Sequence, residues 1–196
     1  MRKSVDFFFD VGSPASYLAW TQLPGLCASH GADLVYRPML LGGVYQATGN
    51  ASPATIPAKG RYTQMDYERH ARRYGVPLRS NPHFPIITLF LMRAVTGIHL
   101  RRPGQLQQLL GCVFKALWID ALDLNDPKLT AGILATGGFD PAEIERLAQD
   151  PETKAALKAT TQEAVARGAF GAPTLFVGDQ MFFGQDRMDF VREALS

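Results

Sequence analysis

The chain is poor in cysteine: among 196 residues only Cys27 and Cys112 occur, and neither belongs to a C-x-x-C pair. Two isolated cysteines argue against a disulfide framework and against a redox dithiol, and they are typical of a reducing compartment. The four histidines lack metal-ligand spacing, so we expect no metal site. No apolar stretch approaches the roughly 18 residues that a membrane span needs. We therefore expect a cytoplasmic protein that binds neither metal nor membrane.

An excess of one charge is also lacking. The chain has 20 basic and 18 acidic residues, a net charge of +2, and no long run of one sign, so nucleic acid is not an expected partner. It begins Met1-Arg2-Lys3, but Asp6 and Asp10 interrupt the apolar run of a secretory signal, which is therefore not expected. Length and composition are ordinary for one large domain, or for one domain carrying an insertion.

The first forty residues predict a β-α-β unit. The short aromatic run Val5–Phe9 predicts a buried strand, and residues 33–37 predict a second one. A helix lies between them, with Ser13 as its N-cap and Pro14 at its first position, where a missing N–H costs nothing. A β-α-β connection places its two strands parallel in one sheet.

The middle of the chain is predicted to be helical, and the end returns to β structure. Residues 41–60 are rich in glycine, proline and small polar residues, and predict a long ordered loop. Strands at 174–177 and 181–183 flank the turn Gly178-Asp179-Gln180, and a short helix near 186–195 closes the chain. The intervening helices are predicted near residues 61–74, 85–97, 104–118, 126–136, 140–149 and 151–167.

Three turns carry candidate site residues. Ser13 begins a helix, whose free N–H groups and partial positive charge stabilise an anion such as a thiolate; alternatively, Ser13 is only the helix cap. Pro173 begins a strand, where a cis bond would turn the Ala172 backbone toward an extended peptide-like ligand; alternatively, it is a plain loop proline. Asp186 precedes the last helix, where it either receives a ligand's ammonium group or caps that helix.

Taken in order, these segments resemble the thioredoxin-like superfamily of the DsbA type. Ser13-Pro14 occupies the place of the redox C-x-x-C, and Ser16 holds the position of the second cysteine. This variant resembles the kappa-class glutathione transferases and, more closely, the 2-hydroxychromene-2-carboxylate isomerases, over nearly the whole chain. The motifs that carry the resemblance are Asp10–Ala19, Leu40–Val44 running into Thr48–Asn50, Pro57–Tyr62, Tyr74–Pro77, Asn81–Pro85, Phe170–Thr174 and Phe183–Arg187.

The resemblance implies an α/β thioredoxin-like fold of the DsbA and kappa type. Its thioredoxin-like domain would comprise residues 1–40 and 168–196, and a loop and all-α insertion domain would occupy residues 41–167. It also implies a homodimer with glutathione as cofactor, and Ser13 as the catalytic residue that hydrogen-bonds the glutathione sulfur. The implied cofactor contacts are Ser13, Asn50, Lys59, Ala172, Pro173, Gln185 and Asp186.

The energetics of such a site are adequate. A free thiol has a pKa near ~8.5, and lowering it by about two units takes roughly 2.7 kcal/mol. A hydrogen bond to a charged group contributes ~1.5–3 kcal/mol, and a helix N-terminus adds ~0.3–1 kcal/mol. One serine hydroxyl at a helix start is therefore about enough to hold a thiolate, and Ser13 need not lose its own proton.

The implied reaction is the glutathione-dependent isomerisation of 2-hydroxychromene-2-carboxylate to trans-o-hydroxybenzylidenepyruvate, an intermediate of aromatic degradation. The thiolate adds to the unsaturated ring system, the ring opens, a carbon–carbon bond rotates, and expulsion of the thiol restores the double bond. The alternatives are a kappa-like glutathione transferase acting on electrophiles, and a non-catalytic thiol-binding module on the same fold.

The small acidic aromatic substrate calls for a nearby cation and an apolar wall. Lys59, Arg61 and His83 are the candidate cations, with Lys59 also placed to bind the glycyl carboxylate of glutathione or to remain a solvated surface lysine. Phe84 and Trp118 either line an aromatic pocket or pack in the core. Relatives of the naphthalene-degradation type carry a lysine between the Leu-Leu-Gly-Gly-Val and Gly-Asn motifs. This chain instead has Tyr45 or Gln46 there, which leaves the identity of the substrate open.

Overall fold

Strands from the two ends of the chain form one four-stranded sheet in the computed structural model, which describes residues 2–196. The strand order is β2-β1-β3-β4; β1 pairs with β2 in parallel and with β3 antiparallel, and β3 pairs antiparallel with β4. The β-α-β unit and the terminal hairpin are therefore confirmed. The strands are β1 (Ser4–Phe9), β2 (Asp33–Pro38), β3 (Thr174–Val177) and β4 (Gln180–Phe183).

Helices cover both faces of this sheet and fill the middle of the chain. The predicted helical segments are present, with boundaries that move by a few residues. The helices are α1 (Pro14–Ser29), α2 (Leu41–Thr48), α3 (Pro57–Tyr74), α4 (Leu89–Arg101), α5 (Leu106–Trp118), α6 (Pro127–Thr136), α7 (Pro141–Gln149), α8 (Pro151–Ala166) and α9 (Met188–Leu195).

The aromatic run of β1 lies at the centre of the core. Phe7 and Phe9 stack at 4.8 Å on one face of the sheet, within the main apolar cluster. Phe8 points to the opposite face and packs edge-on against Phe176 at 5.6 Å. Because side chains alternate along a strand, three consecutive phenylalanines are buried only where both faces are covered. This burial fixes the end of β1, from which the Ser13 turn emerges.

The segment 41–60 departs from the predicted loop. It holds α2, a 3-10 turn at Pro53–Thr55 and the first residues of α3. The N-terminus of α2 has no cap of its own, but the Leu41 N–H donates to the Asp10 carboxylate at 2.8 Å. Helix α2 ends at Thr48, and the next residue, Gly49, terminates it in the left-handed conformation with a positive φ of 70°. A carboxylate 31 residues away in sequence therefore supplies a cap that local composition does not reveal.

The C-terminal region differs in smaller ways. Gln180 pairs with Val177 in the hairpin, so the turn contains two residues, Gly178 and Asp179, rather than three. Helix α9 begins at Met188, with Arg187 at its N-cap position and no side-chain cap hydrogen bond. The alternative in which Asp186 caps this helix is therefore wrong.

Candidate active site

Ser13 lies at the N-terminus of α1 and is buried, with 5% of its surface exposed. Its Oγ accepts a hydrogen bond from the Ser16 N–H at 3.2 Å, so its predicted role as N-cap is confirmed. The same hydroxyl donates to the Ala172 carbonyl oxygen at 3.0 Å. Ser13 therefore joins the start of α1 to a segment 159 residues away, and its hydroxyl does more than cap a helix.

The partner segment contains the peptide between Ala172 and Pro173, which is cis. The Pro173 carbonyl accepts a hydrogen bond from the Gly184 N–H at 3.0 Å, which holds the segment beside the end of β4. Asn50 approaches from the loop after α2 and donates its side-chain N–H to the Phe170 carbonyl at 2.7 Å. The structure thus brings Ser13, Ala172, Pro173 and Asn50 into one connected group.

Gln185 and Asp186 lie between β4 and α9. Gln185 is buried, and its backbone carbonyl accepts a hydrogen bond from the Tyr74 hydroxyl at 2.6 Å. The Asp186 carboxylate is partly exposed and lies 3.6 Å from the Arg187 guanidinium. A groove of about 390 Å³ between α1, α3 and α9 opens beside Asp186. Ser13 is not among its lining residues, so the groove extends away from the serine.

The candidate substrate residues lie at the surface. Lys59 is exposed in the first turn of α3, and His83 lies 3.6 Å from the Asp123 carboxylate. Phe84 is 38% exposed and tilts against Trp118 at 6.4 Å. Trp118 is buried and donates its indole N–H to the Val11 carbonyl at 2.8 Å, so it packs in the core. Among residues 2–196, no side-chain hydrogen bond joins Lys59, His83 or Phe84 to Ser13.

Ser16 occupies the position of the second redox cysteine and is fully buried, with 0% exposure. Its Oγ has no hydrogen-bond partner within the part of the chain that the structure describes. An unsatisfied buried hydroxyl is unfavourable, with a typical cost of ~1–3 kcal/mol. A hydroxyl at this position cannot take part in disulfide chemistry, and its burial keeps it away from solvent.

The sequence patterns gave no role to Asp10, which lies directly after β1 and is 1% exposed. Its carboxylate accepts hydrogen bonds from Gly12 N–H at 2.9 Å, Leu41 N–H at 2.8 Å and Thr88 hydroxyl at 3.0 Å. Burial raises the Asp10 pKa, and these three donors oppose that rise. A carboxylate directly after a buried strand, three residues before the helix cap, was the available signal.

Two properties of the described residues bear on the chemistry of the chain. Within residues 2–196, no group of three or more His, Cys, Asp and Glu side chains could hold a metal ion. None of the helices in this region has both the length and the apolar character needed to cross a membrane.

Cys27 is buried, and burial followed by the nearby Asp33 charge raises its pKa to about 11. The Cys27 thiol is therefore protonated at neutral pH.

Known proteins match the chain over its whole length. The family model described as a DSBA-like thioredoxin domain matches residues 4–196. A 2-hydroxychromene-2-carboxylate isomerase of Sphingobium xenophagum is 31% identical over 100% of this chain and 99% of its own. Human glutathione S-transferase kappa 1 is 28% identical over 100% of this chain and 92% of its own. A solved structure of a 2-hydroxychromene-2-carboxylate isomerase superposes with a TM-score of 0.82 at 28% identity, covering 98% of this chain and 94% of that one.

Proposed function

Because the chain belongs to the DSBA-like thioredoxin domain family, we propose that it is a glutathione-dependent isomerase of a chromene-carboxylate-type intermediate of aromatic degradation. The full-length similarity to proteins named 2-hydroxychromene-2-carboxylate isomerase supports this reaction class. The observation that carries the proposal is the Ser13 hydroxyl, held at a helix N-terminus 3.0 Å from the carbonyl before a cis proline. This arrangement suits the sulfur of a peptide-like thiol.

The residues present fit glutathione. Ala172 offers a backbone N–H and carbonyl to the cysteinyl unit, and Pro173 fixes their orientation. Asp186 offers a partly exposed carboxylate for the γ-glutamyl ammonium, with Gln185 beside it. Asn50 and the exposed cation Lys59 are the candidate contacts toward the glycyl end. When bound, glutathione supplies a thiolate that adds to the unsaturated ring system of the substrate and is later expelled.

Ser13 has one hydroxyl proton, which bonds to the Ala172 carbonyl in the structure. A ligand N–H that bonds to this carbonyl shares the oxygen with Ser13 and weakens the bond that Ser13 makes, since the two lone pairs of the oxygen can accept both donors. The hydroxyl is then free to rotate toward the sulfur while its oxygen keeps the hydrogen bond from Ser16 N–H. Ligand binding and stabilisation of the sulfur anion are thereby coupled through one carbonyl. Ser13 retains its proton throughout and acts as a donor.

The substrate side of the site is proposed from three exposed residues, Lys59, His83 and Phe84. Lys59 and His83 supply positive charge or hydrogen-bond donors for an acidic aromatic molecule. Phe84 exposes part of its ring and is connected to the turn through Trp118, which bonds to the Val11 carbonyl. Lys59 would therefore serve either the glycyl carboxylate or the substrate, and its two roles separate experimentally by glutathione affinity against substrate KM.

The second candidate function is a kappa-like glutathione transferase. The full-length similarity to human glutathione S-transferase kappa 1 favours it, and the same Ser13 arrangement would serve both reactions. The two activities differ in outcome, because an isomerase returns glutathione unchanged and a transferase consumes it in a conjugate. Measuring free thiol before and after turnover therefore distinguishes them.

The test of the proposed function is an ultraviolet assay of ring opening on 2-hydroxychromene-2-carboxylate with the purified protein. We expect turnover with glutathione, none without it, and none with S-methylglutathione, which lacks a free thiol. Turnover that does not depend on glutathione would contradict the cofactor assignment. Glutathione binding without isomerase or transferase activity would favour a non-catalytic thiol-binding module.

We also propose that the protein is a cytoplasmic homodimer. Both cysteines are free in the structure, as is typical of a reducing compartment. The first half of α3 and the segment before it expose the apolar side chains of Ile56, Tyr62 and Met65, which a second copy of the chain would cover. Size-exclusion chromatography with light scattering measures the assembly directly.

A further inference from the structure

The turn that carries Ser13 is tied to the helical region at several points. Asp10 accepts hydrogen bonds from Leu41 N–H, at the start of α2, and from the Thr88 hydroxyl, just before α4. Val11 donates its N–H to the Met92 sulfur at 3.3 Å and accepts the Trp118 indole N–H at 2.8 Å. The turn therefore takes its position from α2, α4 and α5 as well as from the sheet.

Thr88 also fits sterically against this turn. A Cβ placed on Gly12 would lie 2.6 Å from Thr88 Cγ2, closer than real carbon contacts allow. Glycine at position 12 lets Thr88 approach closely enough for its hydroxyl to reach the Asp10 carboxylate, and Thr88 itself is buried. The contact thus depends on three residues: Asp10 supplies the carboxylate, Thr88 the hydroxyl, and Gly12 the space that a Cβ would fill.

We propose that Asp10 and Thr88 form a positioning pair, which holds the Ser13 turn in register with the segments that carry two other candidate contacts, Asn50 and Phe84. Helix α2 leads into Asn50, and Thr88 follows the Phe84–Pro85 segment. Both segments donate a hydrogen bond to the Asp10 carboxylate, which also accepts one from Gly12 N–H within the turn. The Asp10 backbone carbonyl accepts the Ser13 N–H at 3.1 Å, so a shift of Asp10 is passed directly to Ser13. This inference rests on the proposed function, in which Ser13 holds a thiolate.

The charge of Asp10 makes its donors relevant to that thiolate. A carboxylate near the site disfavours a second anion, and every donor that bonds to it offsets part of its negative charge. Tyr45 on α2 is the titratable neighbour of Asp10, and its pKa is raised by burial and then by the Asp10 charge. Removing the Thr88 hydroxyl has two opposed electrostatic effects, because it leaves an ionised Asp10 less neutralised but also raises the Asp10 pKa toward the neutral acid. The effect that disfavours the thiolate in one direction is geometric: the turn that carries the Ser13 hydroxyl is less fixed.

The experiment compares three variants with the wild type by titrating the ultraviolet absorbance of the thiolate of bound glutathione against pH. Asp10→Asn is unsuitable, because it sets an amide against Leu41 N–H and costs stability. Thr88→Val, which keeps the side-chain shape, is therefore the main variant. Thr88→Ser keeps the hydroxyl. Thr96→Val is the matched control, since Thr96 is a buried threonine on α4 whose hydroxyl donates to the Met92 carbonyl of the same helix.

We expect Thr88→Val to raise the apparent pKa of the bound thiol by about half a unit, which lowers the ratio of thiolate to thiol roughly threefold at a given pH. Thr88→Ser and Thr96→Val should titrate like the wild type, although both lose some stability. A wild-type titration for Thr88→Val, or an equal shift in Thr96→Val, would overturn the positioning role. A wild-type protein that forms no thiolate with glutathione would overturn the proposed function, and this inference with it.

Discussion

The Ser13 hydroxyl has one proton to donate and two candidate acceptors, the Ala172 carbonyl and the sulfur of bound glutathione. In the structure the hydroxyl donates its hydrogen bond to the Ala172 carbonyl, whereas the proposed chemistry requires it to donate that hydrogen bond to the glutathione sulfur. The hydroxyl oxygen meanwhile accepts Ser16 N–H, as an N-cap does. Capping uses the oxygen and the proposed chemistry uses the proton, so the two roles of this serine do not conflict. Its contribution to stability and its contribution to activity should therefore be separable by experiment.

Ser13→Ala removes the cap and the proton donor together. We expect the free energy of unfolding to fall by about 1 kcal/mol, as is typical for loss of a serine cap. Turnover should fall roughly 10- to 100-fold, the value of a charge-assisted hydrogen bond of ~1.5–3 kcal/mol. Kinetic assays with glutathione and urea denaturation measure the two effects. Ser29→Ala, on the same helix, removes a hydroxyl that bonds to the Leu26 carbonyl and to His30 Nδ1 and should keep wild-type turnover; equal losses in both variants would contradict the role of Ser13.

His99 provides a residue-level prediction about pH. Burial and then the charge of Arg37 lower its pKa below the ordinary value of 6.5, and its buried Nδ1 has no partner among residues 2–196. The unfolded chain therefore binds a proton that the folded chain does not, and stability is lost as the pH falls below about 6.5. His99→Gln should flatten this decline. The difference in unfolding free energy between wild type and variant, measured at pH 8 and again at pH 5.5, should shrink at the lower pH.

At the scale of elements, the sequence predicts those helices and strands whose determinants lie close together along the chain. The aromatic run of β1 and the Ser13-Pro14 helix start have their determinants within a few residues. The same holds for the helices predicted near 140–149 and 151–167, which Asp140 and Asp150 cap directly before a proline. Helix α2 was missed because its N-terminal acceptor, Asp10, lies 31 residues earlier, and its glycines locally favour a loop.

The site divides in the same way. Ser13, Asn50, Ala172 and Pro173 were identified through motifs, and the structure connects them by hydrogen bonds; their roles toward glutathione remain predictions. The contact between Asp10 and Thr88 spans 78 residues and has no local signature. Gly12 has the sequence context of an ordinary turn residue, because the side chain that excludes a Cβ at this position belongs to Thr88, which only the fold brings near it.

The two glycines at the start of α2 allow a test of its helical state. Gly42 is exposed with no atom within 4 Å of a Cβ built on it, whereas a Cβ on Gly43 would lie 3.2 Å from Thr161 Cγ2. Gly42→Ala should therefore stabilise the protein by about 0.5–1 kcal/mol, the difference in helix propensity. Gly43→Ala should gain less or destabilise, because Thr161 must move. Urea denaturation measures both, and a loss of stability in Gly42→Ala would contradict a helical conformation at this position.

For the whole molecule, the main question is whether the predicted thioredoxin-like domain and the insertion at 41–167 are separate units. The main apolar cluster is continuous between them, since it includes Phe7 and Leu18 together with Val95 and Phe114. The contacts at the Ser13 turn cross the same boundary through Leu41 and Thr88. An insertion that shares its core with the sheet and also contacts the Ser13 turn is expected to fold and unfold with the sheet.

The two tryptophans make this expectation measurable, because each one reaches across the boundary. Trp20 on α1 packs against Phe114 on α5 at 5.2 Å, and Trp118 on α5 donates to the Val11 carbonyl. We expect urea unfolding to be a single transition, with coincident midpoints for tryptophan fluorescence and far-ultraviolet circular dichroism. Trp20→Phe and Trp118→Phe, which leave one reporter each, should give the same coincidence. A fluorescence change that precedes the loss of helical signal would show that the insertion undocks while still folded, and Ser13 would then lose its positioning contacts before the protein unfolds.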